Sequence, residues 1–178
     1  MANVRDIYCF LDRAAPFDTQ EDFDNAGFLV GRGEREVTKI LVSLDVTREV
    51  AEEAAGLGAQ LIVAHHPVIF NPVKSVTDET PAGQILLELI EHRIAAICAH
   101  TNLDAANGGV NDCLAEALGL TEIGQLSQAG VDAQGRPYGI GRTGTVHRPG
   151  LSAAEYAAFV KEKLGSASVR FVDGGRPV

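Results

Sequence analysis

The sequence predicts an α/β fold: a parallel-sheet-containing lobe with flanking helices, followed by part of a second α/β lobe. Three observations lead there. Short apolar runs recur at 39–44, 61–64 and 94–99. Each is followed by a segment with helical spacing, giving the strand-helix alternation of a parallel sheet. The runs are continuous rather than alternating, as strands covered on both faces should be.

The elements follow in order. Val4 to Ala15 carries apolar residues at Val4, Ile7, Tyr8, Leu11 and Ala14/Ala15, a helical spacing closed by Pro16. Asp18 to Gly33 is acidic and reads as irregular. Lys39 to Leu44 reads as a buried strand. Thr47 to Leu57 reads as a helix, capped by Thr47 and ended by Gly58; Glu49 and Glu52 favour the positive end of its dipole. Leu61 to Ala64 is the next strand. Thr80-Pro81 opens a helix carrying Ile85 to Ile90. Ile94 to Ala99 is a third strand, and Val110 to Leu118 a helix stopped by Gly119.

After Leu120 the texture changes. Glycine-rich segments flank Tyr138 to Val146, a helix is expected from Ser152 to Leu164, and Ser168 to Val172 reads as a further strand. These patterns divide the chain into a first α/β lobe at 1–125 and the start of a second lobe at 126–178.

The 178 residues suffice for one compact domain, or one and a fragment of another. A formal charge of −9 without a Lys/Arg cluster argues against nucleic acid as partner. No apolar run approaches the roughly 20 residues of a membrane span, and Met1 to Asp6 does not read as a signal peptide. Cys9, Cys98 and Cys113 are odd in number and widely spaced, so a disulfide framework is not expected and a reducing cytoplasm fits.

The chemistry concentrates where two apolar runs stop. Leu61-Ile62-Val63-Ala64 ends in His65-His66-Pro67, and Ile94 to Ala99 ends in His100, with Asp104 four positions on. Ligands of open α/β sheets bind at the carboxyl ends of the strands. Neighbouring strands lie about 4.8 Å apart, so residues just past their ends can converge on one site. Successive strand side chains point to opposite faces. While extended, His65 and His66 would therefore flank a shared space and serve two ions rather than one. Pro67 restricts His66 to extended backbone.

A nitrogen and oxygen donor set suits zinc, iron, manganese, cobalt or nickel, two ions per subunit, and argues against calcium or an iron–sulfur cluster. Such cations activate water and polarise a carbonyl, imine or phosphoryl group, the physics of a metal-dependent hydrolase. The bland alternative is hydrogen-bonded structural histidines. His92, near a helix C-terminus, reads as structural. His147, beside Arg148-Pro149-Gly150, reads as a solvated turn, and Cys98 as core. Asn107-Gly108-Gly109 reads as a plain helix start, with an anion site at that terminus as the less expected option.

Three motifs together resemble the NGG-interacting-factor-like family, whose members are known as type 2 homologues of GTP cyclohydrolase I. They are Asp24-Asn25-Ala26-Gly27-Phe28-Leu29-Val30-Gly31, then Ala64-His65-His66-Pro67, then His100 to Asn111 with Asp104 inside it. The resemblance runs from about residue 3 to the chain's end. It implies two similar α/β lobes, a dinuclear metal centre between them and a toroidal homohexamer. By motif match His65, His66 and Asp104 would be metal ligands. His100 would lie in the site as ligand or close neighbour, and is taken as the catalytic proton carrier. Asp24 and Asn25 match the first motif without an assigned chemistry.

One departure matters. The family completes its centre with a histidine and a glutamate in a C-terminal Gly-His…Glu motif that this sequence lacks. The sequence is therefore expected to be partial, covering roughly the first two-thirds, and His147 does not replace the missing ligand. A small-molecule substrate, possibly nucleotide-like, is the expected partner. The competing expectation is a non-catalytic metal-binding, metal-handling or oligomeric scaffold protein; a structural domain with incidental histidines is the third.

Overall fold

A computed structural model describes residues 1–132, 135–148 and 150–178. They form two compact units, Met1–Ala106 and Asn107–Val178.

The first unit is a four-stranded mixed sheet with helices on both faces. Helix α1 (Val4–Ala14) starts at Asn3, whose side chain accepts from the Asp6 amide while the Asp6 carboxylate accepts from the Asn3 amide, a reciprocal capping box. A 3-10 turn at Phe17–Thr19 follows. Strand β1 is Gly27–Val30 and β2 is Ile40–Ser43. Helix α2 (Arg48–Leu57) is capped by Thr47 and ended by Gly58 in the left-handed conformation. Strand β3 (Leu61–Ala64), helix α3 (Pro81–Glu91), strand β4 (Ala95–Cys98) and the short helix α4 (Thr101–Ala105) complete the unit.

The strand order is β1-β4-β3-β2. Strands β2, β3 and β4 run parallel, with Ser43 opposite Ala64 and Ala64 opposite Cys98. Strand β1 runs antiparallel to β4, Gly27 opposite Cys98. The start of β1 and the ends of the other three strands therefore lie at one end of the sheet.

The two-residue strand period sorts the core. Leu61, Ala95, Ile97 and Ala99 face one way and pack with Val4, Ile7, Tyr8, Leu11 and Phe17 from the N-terminal segment. Ile62, Ala64, Ala96 and Cys98 face the other way and pack with Ala51 and Ala54 of α2 and Leu86 and Leu89 of α3. The parallel sheet covered on both faces is as the sequence predicts.

The sequence reading departs from the structure in several places. The 18–33 stretch contains β1, an antiparallel edge strand held to β4. Lys39–Leu44 is less buried than expected: β2 is the other edge, and Val42 is 76% exposed. Helix α4, on which Asp104 lies, has no counterpart in the sequence reading. Ser168–Val172 forms no strand, and Val172 is exposed.

In the second unit helix α5 (Val110–Ala117) precedes an antiparallel hairpin of β5 (Thr121–Val131) and β6 (Pro137–Thr145), and α6 (Ala153–Lys163) follows behind a Ser152/Glu155 capping box. Strand β5 was missed because its apolar residues are sparse. Arg142 on β6 is buried against Asp112 of α5 and also donates to Gln125 Oε1 and to the Gly139 and Gly141 carbonyls. Pro149, part of the expected turn after His147, lies outside the described residues.

Candidate metal centre

The C-terminal ends of β2, β3 and β4 and the entry to β1 deliver Asp45, His65, His66, His100 and Asp24 to one end of the sheet. Pairing continues briefly past the strands: the His65 amide donates to the Ser43 carbonyl, His66 to Leu44 and Ala99 to Ala64. Both histidines then lie in a bend. That corrects the alternation argument. Side chains diverge only while the backbone is extended, and β3 ends at Ala64. The His65 and His66 ring centroids are 5.0 Å apart, His65 and His100 5.1 Å, and His66 and His100 5.5 Å.

Each of the three histidines offers one ligand nitrogen, and these lie within 4.8 Å of one another. Two atoms each about 2.1 Å from one ion can be no more than about 4.2 Å apart. The spacing thus accommodates one ion after a small side-chain shift, or two ions. Asp104 Oδ1 lies 3.9 Å from His65 Nε2, too long for a hydrogen bond and within the span of two ligands on one ion. Asp104 reaches that position because α4 starts directly after His100, which sets the two residues one helical turn apart.

The far ring nitrogens are all engaged. His65 Nδ1 lies 2.8 Å from the Ala99 carbonyl. A carbonyl only accepts, so this nitrogen carries the proton and Nε2 keeps its lone pair in the neutral ring. His66 Nδ1 is 2.7 Å from Asp45 Oδ1, and His100 Nδ1 is 2.9 Å from Asp24 Oδ1. Metal-binding histidines commonly have this arrangement, one nitrogen on a carbonyl or carboxylate and the other toward the ion. The donor set therefore fits a divalent transition metal, with His65, His66, His100 and Asp104 placed to hold it.

Asp24 is the most deeply set carboxylate of the group, its side chain fully buried beside a His100 side chain that is 19% exposed. Burial acts to raise its pKa. Hydrogen bonds from the Thr101 hydroxyl, the His100 ring and the Thr101 and Asn25 amides outweigh that, and the carboxyl falls below its ordinary value. Asn25 Nδ2 donates to the Ile69 carbonyl, tying the loop after His66-Pro67 to the start of β1. Buried Asn102 accepts from the His100 amide and donates to the Ala15 carbonyl. The Phe70 ring stands edge-on to His100.

Asp24, Asp45 and Asn102 are the residues that sequence reasoning left without a role. Asp45 had one available signal: it stands just past a strand that pairs in parallel with the strand before His65. Asp24 had only its motif. Cys98 is core as expected, its thiol pushed up to about 11 by burial. His92 caps α3, with Nδ1 against Glu88. At the helix start the Asp112 carboxylate accepts from the Gly108 amide, and the N-cap Gly109 supplies no side-chain cap.

A mixed α/β sheet with histidines gathered at its strand ends defines the class: an α/β protein with a candidate metal site. The chain belongs to the Duf34/NIF3 (NGG1p interacting factor 3) family, whose model matches residues 2–177. It is 36% identical over 168 residues to a "GTP cyclohydrolase 1 type 2 homolog" of Clostridium perfringens, covering 94% of this chain and 63% of that one. A protein of the same name from Streptomyces coelicolor is 35% identical over 177 residues, covering 99% and 61%. The crystal structure of Staphylococcus aureus hypothetical protein SA1388 superposes with a TM-score of 0.86 at 34% identity, over 96% of this chain and 67% of that one. The chain thus spans somewhat over 60% of the length of the first two relatives. Among the described residues, no helix is long and apolar enough to cross a membrane.

Proposed function

We propose that His65, His66 and Asp104 bind divalent metal, zinc, iron, manganese, cobalt or nickel, as part of the dinuclear centre of a metal-dependent hydrolase. The observation that carries this reading is the shared orientation of the three imidazoles. Each has Nδ1 engaged by a carbonyl or carboxylate, which leaves Nε2 of His65 and His66 for the cations and Nε2 of His100 for a proton. Cations held there would lower the pKa of water and polarise an electrophilic carbon or phosphorus.

Within that site His100 is the proton carrier. Its Nε2 would take the proton of the attacking water and return it to the leaving atom. Asp24 would stabilise the imidazolium formed in between. Phe70 would limit water access on one side of the ring. The relatives' name makes GTP the first substrate to try. Adding one water at C8 of its base would open the imidazole ring to a formamide, and a second water would hydrolyse that formamide to release formate. A small-molecule substrate and a toroidal homohexamer belong to the same proposal and rest on the family resemblance; a cytoplasmic location rests on the three free cysteines.

The test is to load the full-length protein separately with zinc, manganese and iron, then assay formate release from GTP and turnover of a panel of phosphoesters. Turnover that His66→Ala abolishes supports the reading. Stoichiometric metal without turnover across the panel would leave metal binding and remove the hydrolase, favouring a metal-handling role.

A further inference from the structure

We infer that Asp24 is a positioning residue that fixes which nitrogen His100 offers to the site. The purpose of this arrangement rests on the metal-site reading above; its geometry does not.

The Asp24 side chain is fully buried and takes four donors, two on each oxygen. Oδ1 accepts from His100 Nδ1 at 2.9 Å and from the Asn25 amide at 2.7 Å. Oδ2 accepts from the Thr101 amide at 3.0 Å and from the Thr101 hydroxyl. An ionised carboxylate only accepts, and the backbone N–H groups on both oxygens hold Asp24 in that form. His100 Nδ1 must therefore be the donor, and Nε2 is left unprotonated in the neutral ring. The backbone beside the ring is fixed as well: the His100 amide donates to Asn102 Oδ1, and Asn102 is itself anchored to the Ala15 carbonyl. Asp45 holds His66 through a comparable contact, but that pair is about half exposed, so water can take the place of its carboxylate. Of the two carboxylates, Asp24 is the one whose loss nothing at hand can replace.

The Asp24→Asn substitution has a defined consequence. Both carboxylate oxygens face a backbone N–H, so an amide must set its NH2 against one of them. Oxygen is most needed toward Thr101, whose amide and hydroxyl both keep a proton to donate; on the other side only the Asn25 amide must, because the His100 ring can move its proton to Nε2. The NH2 then faces His100 Nδ1, which must become the acceptor, and the ring proton moves to Nε2. In that tautomer Nε2 can neither ligate a cation nor accept a proton.

The experiment is long-range 15N–1H correlation NMR of the histidine rings in the metal-free chain, with zinc titration calorimetry alongside. In the wild type His100 is expected as the Nδ1–H tautomer. Asp24→Asn shifts it to Nε2–H, while zinc binding through His65, His66 and Asp104 persists. Thr101→Val is the control. It removes one hydroxyl contact from the same carboxylate and loosens the same loop, yet leaves the tautomer unchanged. A role confined to holding the loop would make the two variants alike, and that result overturns the inference. So does a wild-type His100 that is Nε2–H, a measurement needing no variant to fold. Wild-type protein that shows the Nδ1–H tautomer but binds no zinc would defeat the metal reading alone.

Discussion

Asp24 and His100 stand 76 positions apart in the sequence and 2.9 Å apart in the fold. The contact exists because β1 runs antiparallel to β4. Gly27 pairs with Cys98, so the residues entering β1 meet the residues leaving β4. One buried carboxylate thereby joins the first motif of the chain to the third.

The metal ligands themselves give the most direct prediction. His65→Ala and His66→Ala should each abolish stoichiometric zinc binding, measured by calorimetry on the metal-stripped protein. His92→Ala should leave it unchanged, since His92 caps α3 against Glu88. Equal loss in all three variants would point to nonspecific binding by surface imidazoles.

Asn102 should matter for stability and for metal together. It is fully buried and satisfies the His100 amide and the Ala15 carbonyl. Asn102→Ala leaves a buried donor and a buried acceptor unpaired, and should cost about 2–4 kcal/mol in urea unfolding. Zinc affinity should fall as well, because α4, which carries Asp104, loses its anchor.

Gly31 is fixed by a close approach. Its φ is +109°, and a Cβ there would lie 2.8 Å from the Cα and Cβ of Ala95. Gly31→Ala should destabilise the first unit by about 1–3 kcal/mol through backbone strain and overpacking. Gly58→Ala should cost less: its φ is +66°, but a Cβ there meets nothing within 4 Å. Chemical denaturation of the two variants side by side measures the difference.

Acid should weaken the second unit through Asp112. The hydrogen bond from Arg142 holds its carboxyl below the ordinary 3.8, against the opposing effect of burial. A depressed folded-state value means that the stabilisation is complete above the unfolded value and is lost as pH falls through the folded one. Asp112→Asn should therefore flatten stability against pH below about 4. It should also cost on the order of 3 kcal/mol at neutral pH, because Arg142 is only 3% exposed and a neutral amide in place of Asp112 weakens the compensation of its charge. Thermal melts at a series of pH values check both parts.

Much of the first unit could be read from local pattern. The β3 run Leu61–Ala64 matched residue for residue, and the Thr47 and Gly58 caps bounded α2 as expected. Apolar continuity and capping residues are properties of neighbours in sequence, so they are visible there. Strand β1 was hidden because it is short and its apolar residues, Phe28, Leu29 and Val30, follow an acidic stretch of loop chemistry. It becomes a strand only through its ladder to β4. The edge position of β2 was hidden for the same kind of reason: Ile40 and Val42 look like core residues until a sheet has an order.

The sequence by itself determined that His65 and His66 end one apolar run and His100 another, and hence that imidazoles gather at the carboxyl end of a parallel sheet. Strand periodicity and strand termination are encoded within a few residues, which is why this much was legible. Only the tertiary structure decided how those rings are held. It bends the chain at 65–66 so that both side chains share one space, and winds α4 so that Asp104 approaches His65. It also brings Asp45 and Asp24 to the far nitrogens of His66 and His100. Those partners are set by strand order and direction, which no local window of the sequence contains.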